Sequence, residues 1–183
     1  MELAPERRAG LAHPLSAVDE NHQAEQYFFD DATLDALAAR VQQAERPALV
    51  CTPLLGRRLW EAHRRAVPVL DVDRRFADLP GFVEYDLHRP RPLDEKPDLI
   101  VCDPPFFNIS LSRLFKALRV LAHHDVTTAL MVFYLRRRAS AVEGTFAAFG
   151  LRATDLRAGY RTVQDTGPGQ RNEIVAFANC PVR

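Results

Sequence analysis

Short apolar runs alternate with segments of helical periodicity along most of the chain. The apolar runs are rich in valine, leucine and isoleucine and have the length of buried strands. They lie at residues 48–51, 67–70, 82–85, 98–102, 127–134, 151–156 and 174–178. Around them, apolar side chains recur at the spacing of a helix with one buried face. One such helical segment begins at residue 30 or 31, and the others cover 54–65, 110–122 and 139–149.

This alternation predicts an α/β fold with a mainly parallel seven-stranded sheet and helices on both faces. The last two strand candidates are joined by a loop rich in glycine and arginine, residues 158–171, with no helix between them. They therefore predict an antiparallel C-terminal hairpin in the sheet. Two prolines and a glycine among residues 1–14 break any helix near the start. We expect an irregular N-terminal segment over residues 1–25 and one domain over residues 26–183.

Composition and charge narrow the class of protein. The chain has 183 residues, enough for one domain with a substantial core. It contains neither an apolar run of the ~20 residues that span a membrane nor an apolar signal core at its start. We therefore expect a soluble, cytoplasmic protein without a membrane partner. The formal net charge is zero, which argues against electrostatic gripping of long duplex nucleic acid. The three cysteines match no zinc spacing, so no metal site is expected.

The ends of the predicted strands carry the candidate chemistry, because ligands of open parallel sheets bind beyond the carboxyl ends of the strands. After the first four strand candidates come Cys51-Thr52-Pro53, Asp71 to Asp73, Asp86 and Asp103 to Phe106. Three of these four positions carry carboxylates, and a carboxylate after the second strand can accept both hydroxyls of a ribose. A single acid in such a place more often caps a turn or a helix. The set of three favours a binding site.

The segment Asp103-Pro104-Pro105-Phe106 is the most specific of these positions. Its two prolines fix the backbone and bring no N–H donors, which leaves nearby carbonyls free to accept hydrogen bonds. Together with the Asp103 carboxylate, such carbonyls suit an amine whose hydrogens are held while its lone pair points at an electrophile. Phe106 offers a flat apolar surface to a planar group or a cation. The simpler alternative is a proline turn with Phe106 in the core, but the position directly after a strand favours function.

Several stretches of the chain together resemble a known enzyme family. These stretches are Gln26-Tyr27-Phe28-Phe29 with Thr33, residues 70–76, 82–90 and 98–106, and residues 171–174 with Asn179. They resemble the N6-adenine methyltransferase-like group of seven-strand, S-adenosylmethionine-dependent enzymes, over roughly residues 26–180 and in the family's order. Within this group they are similar to the branch of elongation-factor lysine methyltransferases and zinc-knuckle ribosomal-RNA adenine methyltransferases. Only the motif of an acid or amide, two prolines and an aromatic residue is individually specific.

The resemblance implies a Rossmann-like class I methyltransferase fold with S-adenosyl-L-methionine as the cofactor. It implies that Asp71 or Asp73 holds the ribose of the cofactor and that Asp86 lies near its adenine. Also implied on the cofactor side are Gln26, Phe28, Phe29, Thr33, Cys51, Thr52 and Pro53. The implied catalytic residues, which hold the target amine, are Asp103, Pro104, Pro105 and Phe106. The candidates on the substrate side are Phe107, Asn108, Arg136 and Asn172, of which Asn172 matches a late-loop asparagine of the family.

The chain departs from the family pattern in the loop after the first strand. Most class I methyltransferases have a glycine-rich loop there, whereas this chain has Cys51-Thr52-Pro53-Leu54-Leu55-Gly56. The narrower branch that the chain resembles is also degenerate at this position, so a bound cofactor remains the expectation. The irregular loop nevertheless leaves a second hypothesis open. The protein would then be a non-catalytic relative that binds a nucleotide-like ligand or a partner through the same crevice.

The expected chemistry is transfer of a methyl group to an amine. Because a sulfonium is already a strong electrophile, in-line placement and desolvation dominate such a reaction. We predict adenine N6 in RNA or DNA as the target, unpaired or flipped out and stacked on Phe106, with arginines on the phosphates. The candidate arginines are Arg57, Arg58, Arg64, Arg65 and Arg136 to Arg138. The alternative target is a protein lysine, whose neutral amine Phe106 and acidic neighbours would hold.

Overall fold

The computed structural model describes residues 19–181, so most of the predicted irregular segment lies outside the described residues. The helices are α1 (Asp31–Val41), α2 (Pro53–His63), α3 (Leu111–Leu121) and α4 (Ala139–Thr145). The strands are β1 (Pro47–Val50), β2 (Val69–Asp71), β3 (Phe82–Glu84), β4 (Leu99–Cys102), β5 (Ala129–Leu135), β6 (Arg152–Arg157) and β7 (Ile174–Ala178). Over residues 19–181, none of the helices has the length and apolar character needed to cross a membrane.

The strands form one sheet in the order β3-β2-β1-β4-β5-β7-β6. Strands β1 to β5 pair in parallel, and β7 is antiparallel to both β5 and β6. The predicted parallel sheet with a C-terminal antiparallel hairpin is therefore confirmed. The chain moves outward from β1 to β2 in one direction and from β4 to β5 in the other. Right-handed crossovers consequently put α2 and α3 on opposite faces of the sheet.

Helices cover the central strands, and every residue of β1, β2 and β4 is buried as a result. On the outer layers α1 packs against α2, and α3 packs against α4. The predicted apolar face of α1 is buried through Leu34, Leu37, Ala38 and Val41. Helix α1 is capped by the Asp30 carboxylate, which accepts a 2.8 Å hydrogen bond from the backbone N–H of Thr33.

Several predicted element boundaries were wrong by a few residues. Cys51 lies outside β1, because its φ of 56° turns the chain away from the strand. Strand β2 lies further along the chain than predicted, so that Asp71 is its last residue. Strand β5 begins at Ala129, since the Asp125 carboxylate holds the Thr127 backbone N–H in a turn, at 2.9 Å. Helix α4 also ends before the predicted stop at Gly150, which instead follows a short 3-10 turn.

Gly56 allows α2 to lie directly on β2. Gly56 is buried, and a Cβ atom added to it would overlap the Cγ2 atom of Val69. Inside a packed core such an overlap can be relieved only by a shift of the Val69 side chain or of the helix. The close contact between α2 and β2 thus explains why residue 56 is a glycine.

We expect Gly56→Ala to lower the free energy of unfolding by about 1–3 kcal/mol, because the added methyl group overpacks the contact between α2 and β2. Denaturant unfolding followed by circular dichroism measures the change. Combining Gly56→Ala with Val69→Ala should cost less than the sum of the two single changes, since the second removes the overlapping methyl group.

The matched control for this prediction is Gly144→Ala in α4, where an added Cβ meets no atom within 4 Å. This change should be neutral or should stabilise the protein by about 0.5–1 kcal/mol, because alanine is the better helix former. Equal losses of stability at positions 56 and 144 would contradict the packing explanation.

Candidate active site

A cavity of about 510 Å³ opens at the carboxyl ends of β1, β2 and β4. This volume is in the range of roughly 300–1,000 Å³ that is typical of small-molecule sites. Its walls come from residues 19–27, here called the N-terminal segment, from the three strand ends and from the β6–β7 connection. The predicted site residues that line it are Gln26, Cys51, Asp71, Asp73, Asp103, Pro104, Pro105, Phe106 and Phe107. The cavity thus lies at the sheet edge where ligands of open parallel sheets bind.

Asp71 is the buried carboxylate at the end of β2. It accepts a 2.9 Å hydrogen bond from the backbone N–H of Asp73, two residues further on. Burial raises the pKa of Asp71 to about 6, because the surrounding protein removes water from the charged form. Asp71 is therefore ionised at neutral pH and becomes protonated under mildly acidic conditions.

Asp73 is occupied by neighbouring side chains. One of its carboxylate oxygens accepts hydrogen bonds from Gln26, at 2.8 Å, and from Arg75, at 2.7 Å. Arg75 also donates to the Gln26 side-chain oxygen at 2.7 Å, which ties the N-terminal segment to the edge of β2. Partial burial opposes ionisation of Asp73, but these bonds outweigh it and hold its pKa below the usual range. Between Asp71 and Asp73, the first therefore has more capacity left for a ligand.

Cys51 makes the turn between β1 and α2 and lines the cavity. Its φ of 56° is the left-handed conformation that glycine adopts most readily and that costs other residues about 1–2 kcal/mol. Thr52 and Pro53 follow as the N-cap and the first residue of α2, and both are buried away from the cavity lining. The absent glycine-rich loop is therefore replaced by a tight turn in which Cys51 takes the left-handed position.

Asp103 stands at the end of β4, where its backbone N–H donates to the Val50 carbonyl at 3.1 Å and continues the sheet. One oxygen of its carboxylate accepts a 2.8 Å hydrogen bond from the hydroxyl of Tyr160. Burial raises the pKa of Asp103 well above its usual range, and the hydrogen bond from Tyr160 opposes that rise. Tyr160 was missed from the sequence, because a single tyrosine in a long polar loop carries no signal that connects it to a distant strand end.

The two phenylalanines of the proline loop have different surroundings. Phe106 is half-buried, with its ring against Tyr134 at a centroid distance of 4.8 Å. Phe107 is 80% exposed beside the cavity, which is unusual for a large apolar side chain. The backbone N–H groups of Phe107 and Asn108 donate to the Glu25 carboxylate at 3.0 and 2.8 Å. Glu25 thereby holds the loop in place from the N-terminal segment.

Three residues predicted on the cofactor side lie behind the cavity wall. Phe28 and Phe29 are buried, with their rings against Phe76 and Phe133. The Thr33 hydroxyl is also buried and accepts a 2.9 Å hydrogen bond from the backbone N–H of Gly159. All three belong to the packing between the N-terminal part of the domain and the β6–β7 connection, and they lie outside the cavity lining.

Other predicted site residues have structural partners and lie outside the cavity lining. Asp86 is exposed and accepts a 2.8 Å hydrogen bond from the His88 backbone N–H in the turn after β3. Arg136 pairs with the buried Glu173 at 3.0 Å. Asn172 donates to the Gln164 carbonyl at 3.2 Å and so orders the loop before β7.

Most of the arginines predicted to meet phosphates also have partners within the protein. Arg57 is buried and pairs with Asp78 at 3.3 Å. Arg58 pairs with two acids of α1, Asp31 and Asp35. Arg65 donates to the Val41 carbonyl at 2.9 Å and to the Ala44 carbonyl. Over residues 19–181, no group of three or more histidine, cysteine or acidic side chains is arranged to hold a metal ion.

The fold is the Rossmann-like fold of class I S-adenosylmethionine-dependent methyltransferases. Similar solved structures include the N-methyltransferase NodS from Bradyrhizobium japonicum WM9 in complex with S-adenosyl-l-homocysteine, with a TM-score of 0.52 and 12% identity over 90% of this chain and 94% of NodS. A second NodS structure gives a TM-score of 0.49 and 14% identity, over 83% and 99% of the two chains. Magnesium protoporphyrin IX methyltransferase (ChlM) from Synechocystis PCC 6803 has a TM-score of 0.47 and 11% identity, over 81% of this chain and 79% of ChlM.

A family model described as "Probable N6-adenine methyltransferase" matches residues 20–179, and the chain belongs to this family. The resemblance inferred from the sequence is therefore confirmed at the level of the family. No curated protein sequence matches the chain significantly. Family and fold together make the chain an S-adenosylmethionine-dependent methyltransferase.

The cavity fits the cofactor of this class. A ribose needs a carboxylate after the second strand, and Asp71 is at that position with its pKa low enough for ionisation at neutral pH. Since Asp73 already accepts from Arg75 and Gln26, we expect Asp71 to be the residue that holds the ribose. Val72 lies between them, 64% exposed, and adds an apolar surface to the cavity wall.

We expect the affinity for S-adenosylhomocysteine to fall as the pH decreases through about 6, because the Asp71 carboxylate then gains a proton and loses acceptor capacity. The fall should approach about tenfold per pH unit below that value. Isothermal titration calorimetry between roughly pH 5 and pH 8 measures it. Asp71→Asn should bind more weakly at neutral pH and without this dependence.

Asp73→Asn is the matched control for the Asp71 prediction. It weakens the contacts of Arg75 and Gln26 and so should reduce the affinity at every pH. The pH dependence should remain but move to lower pH, because the negative charge of Asp73 helps to raise the pKa of Asp71. Binding by the parent protein that is independent of pH over this range would show that Asp71 does not contact the cofactor.

Proposed function

We propose that this chain is an N-methyltransferase that methylates adenine N6 in RNA or DNA. The observation that carries the proposal is the loop from Asp103 to Phe107 on the cavity wall, which combines a carboxylate acceptor, two prolines and two neighbouring aromatic rings. An exocyclic amine on a planar base needs these groups, namely acceptors for its two hydrogens and a flat surface for the ring.

The residues of the loop would act by holding the amine. When bound, S-adenosylmethionine supplies a methyl group on a sulfonium, which an amine nitrogen can accept without covalent help from the protein. The Asp103 carboxylate accepts one N–H of the amine and the Pro104 carbonyl accepts the other, so that the nitrogen lone pair points into the cavity. As the new N–C bond formed, the bond between the methyl carbon and the sulfonium sulfur would break and leave a neutral thioether, and the nitrogen would release a proton. Asp103 can accept that proton, because burial raises the pKa of its carboxyl well above the usual range.

The exposed ring of Phe107 supports a nucleic acid target. A base that has left its stack needs a new aromatic partner, and such stacking contributes about 1–3 kcal/mol per base. Phe106 is held against Tyr134, whose hydroxyl donates to the Phe106 carbonyl at 3.3 Å. Phe106 therefore offers a fixed edge of the site, and Phe107 offers a ring that is accessible from solvent.

A basic cleft beside the first turns of α3 supports phosphate contacts. The cleft has a volume of about 260 Å³ and is lined by Leu87, His88, Pro90, Arg113 and Lys116. Arg113 lies in the first turn of α3, directly after the proline loop, and its guanidinium is 3.1 Å from the His88 ring. The described lining contains no carboxylate. Arg113 and Lys116 are therefore better candidates for contacts with a nucleic acid backbone than the arginines that pair within the protein.

We expect the protein to transfer a labelled methyl group from S-adenosylmethionine to oligonucleotides that contain unpaired adenine, and Phe107→Ala to lower kcat/KM by about ten- to a hundredfold through loss of stacking. Phe107→Tyr should retain most of the activity. Scintillation counting with nucleoside analysis of the product measures both effects. Val126→Ala, which truncates another exposed apolar side chain, is the control and should change nothing. Absence of label on adenine in RNA and in DNA would overturn the proposed target.

We expect the pair of changes Arg113→Glu and Lys116→Glu to raise the KM for the oligonucleotide about tenfold, because phosphate contacts are lost and repulsion is added. The salt dependence of oligonucleotide binding should weaken by about 0.7 in log–log slope for each lost contact. Binding of S-adenosylhomocysteine should not change. Arg119→Glu, an exposed position near the other end of α3, is the control. An unchanged KM in the double variant would remove the basic cleft from the substrate site.

A protein lysine is the second candidate target. The observation that favours it is the acidic lining of the cavity, where Glu25, Asp71, Asp73 and Asp103 would attract a cationic side chain. The same labelled assay on total protein extract distinguishes the two targets. Label that protease releases and nuclease leaves in place would favour lysine.

A further inference from the structure

Within residues 19–181, the side-chain hydrogen bond to the Asp103 carboxylate comes from Tyr160, which lies in a different part of the fold. The tyrosine lies in the connection between β6 and β7, is only 8% exposed and lines the cavity. Its hydroxyl donates to one oxygen of Asp103 at 2.8 Å, a usual distance for an O–H···O hydrogen bond. One of the two carboxylate oxygens is therefore held, and the other is left for a ligand.

The position of Tyr160 is fixed by backbone pairing with the residues that precede α1. Phe29 and Tyr160 form an antiparallel bridge. On either side of it, the Asp30 N–H donates to the Gly159 carbonyl and the Arg161 N–H donates to the Phe28 carbonyl, both at 2.9 Å. The rings of Phe29 and Tyr160 are also in contact, with centroids 5.1 Å apart. The tyrosine is thus held by a short two-stranded ribbon and cannot move independently of it.

Two further contacts, both at Gly159, hold this ribbon against the start of α1. The Thr33 hydroxyl accepts the Gly159 N–H at 2.9 Å, and the Asp30 carboxylate, which caps α1, lies where a Cβ atom of residue 159 would be. A side chain at position 159 would therefore displace the Asp30 carboxylate from its capping position. The predicted residues Phe28, Phe29 and Thr33 lie outside the cavity but hold the element that carries Tyr160.

We propose that Tyr160 is a positioning residue, whose hydroxyl holds one oxygen of the Asp103 carboxylate so that the other oxygen is aimed at the target amine. The inference rests on the proposed function, in which Asp103 accepts a hydrogen of that amine. A carboxylate that turns freely about its last torsion would offer the amine no fixed acceptor. A misplaced acceptor is costly, because methyl transfer depends on in-line geometry.

The hydrogen bond has a second effect on the same carboxyl. Burial favours its protonated form, and donation from Tyr160 favours the charged form that accepts hydrogen bonds from an amine. Removing the hydroxyl therefore raises the pKa of Asp103. Activity that needs the carboxylate is lost as the pH falls through this pKa, so the acid limb of the pH–rate profile moves to higher pH.

Tyr160→Phe tests the inference, because it removes only the hydroxyl. We expect kcat to fall by about ten- to a hundredfold at neutral pH, the worth of a hydrogen bond to a charged group. The acid limb of kcat should move to higher pH, so that raising the pH restores part of the activity. The thermal unfolding midpoint should fall by only a few degrees, as expected for one buried hydrogen bond, and the protein should stay folded at the assay temperature. Binding of S-adenosylhomocysteine should stay near the parent value, and a merely structural role for the tyrosine would not move the acid limb.

Tyr85→Phe is the matched control. Tyr85 is also buried, and its hydroxyl donates to the Arg91 carbonyl at 2.9 Å, away from the cavity. Its removal should shift neither kcat nor the acid limb. Thr33→Val leaves the Gly159 N–H without its acceptor and should reproduce part of the Tyr160→Phe effect, whereas Thr33→Ser keeps the hydroxyl and should behave like the parent.

Two measurements separate failure of this inference from failure of the proposed function. If Asp103→Ala methylates as well as the parent, the proposed site fails. If Asp103→Ala is inactive while Tyr160→Phe matches the parent in kcat and in its acid limb, only the role of Tyr160 is overturned. Carboxyl carbon-13 NMR titration needs no substrate: the pKa of Asp103 should be higher in Tyr160→Phe than in the parent, and an unchanged value overturns the inference whatever the substrate is.

Discussion

The parallel pairing of β1 with β4 is the contact on which the rest of the site depends. Val50 is in register with Cys102, and the Asp103 N–H continues the ladder to the Val50 carbonyl. On the other side of β1, Val50 is in register with Leu70, which places the end of β2 at the same edge. Because these strands are buried on both faces, a slip of one residue would turn every side chain to the wrong layer. Packing of the core therefore also sets the distances between the three strand ends that form the cavity.

The hydrogen bond between Tyr160 and Asp103 connects this sheet edge to two segments that are far away in sequence. The ribbon that carries Tyr160 is formed by the chain before α1 and the chain after β6. A second contact from the N-terminal segment, between Glu25 and the backbone of Phe107 and Asn108, holds the other end of the proline loop. The loop is thus fixed from both ends by groups outside its own strand. Such support is what a site that works by placement requires.

The carboxylates of the cavity illustrate how one residue type takes different properties from its surroundings. Asp71 is buried with backbone donors and has its pKa raised to about 6. Asp73, two residues away, has its pKa lowered, since Arg75 and Gln26 outweigh its partial burial. Asp103 has its pKa raised well above the usual range by burial, against the hydrogen bond from Tyr160. Asp71 and Asp103 can therefore still accept hydrogen bonds from hydroxyl or amine groups of a ligand. Asp73 already has its hydrogen-bond partners within the protein.

The sequence by itself determined the α/β class, the seven strands, the hairpin at the end and the edge at which Asp71 and Asp103 meet. These features follow from local periodicity and from the rule that parallel strands end at one edge, and both can be read along the chain. Tertiary structure alone decided that Cys51 turns left-handed, that Asp73 and Arg136 are occupied by partners, and that Phe28, Phe29 and Thr33 lie behind the cavity wall. It alone brought Tyr160 to Asp103. Contacts between distant segments depend on how helices and loops pack, and no local pattern in the sequence records that packing.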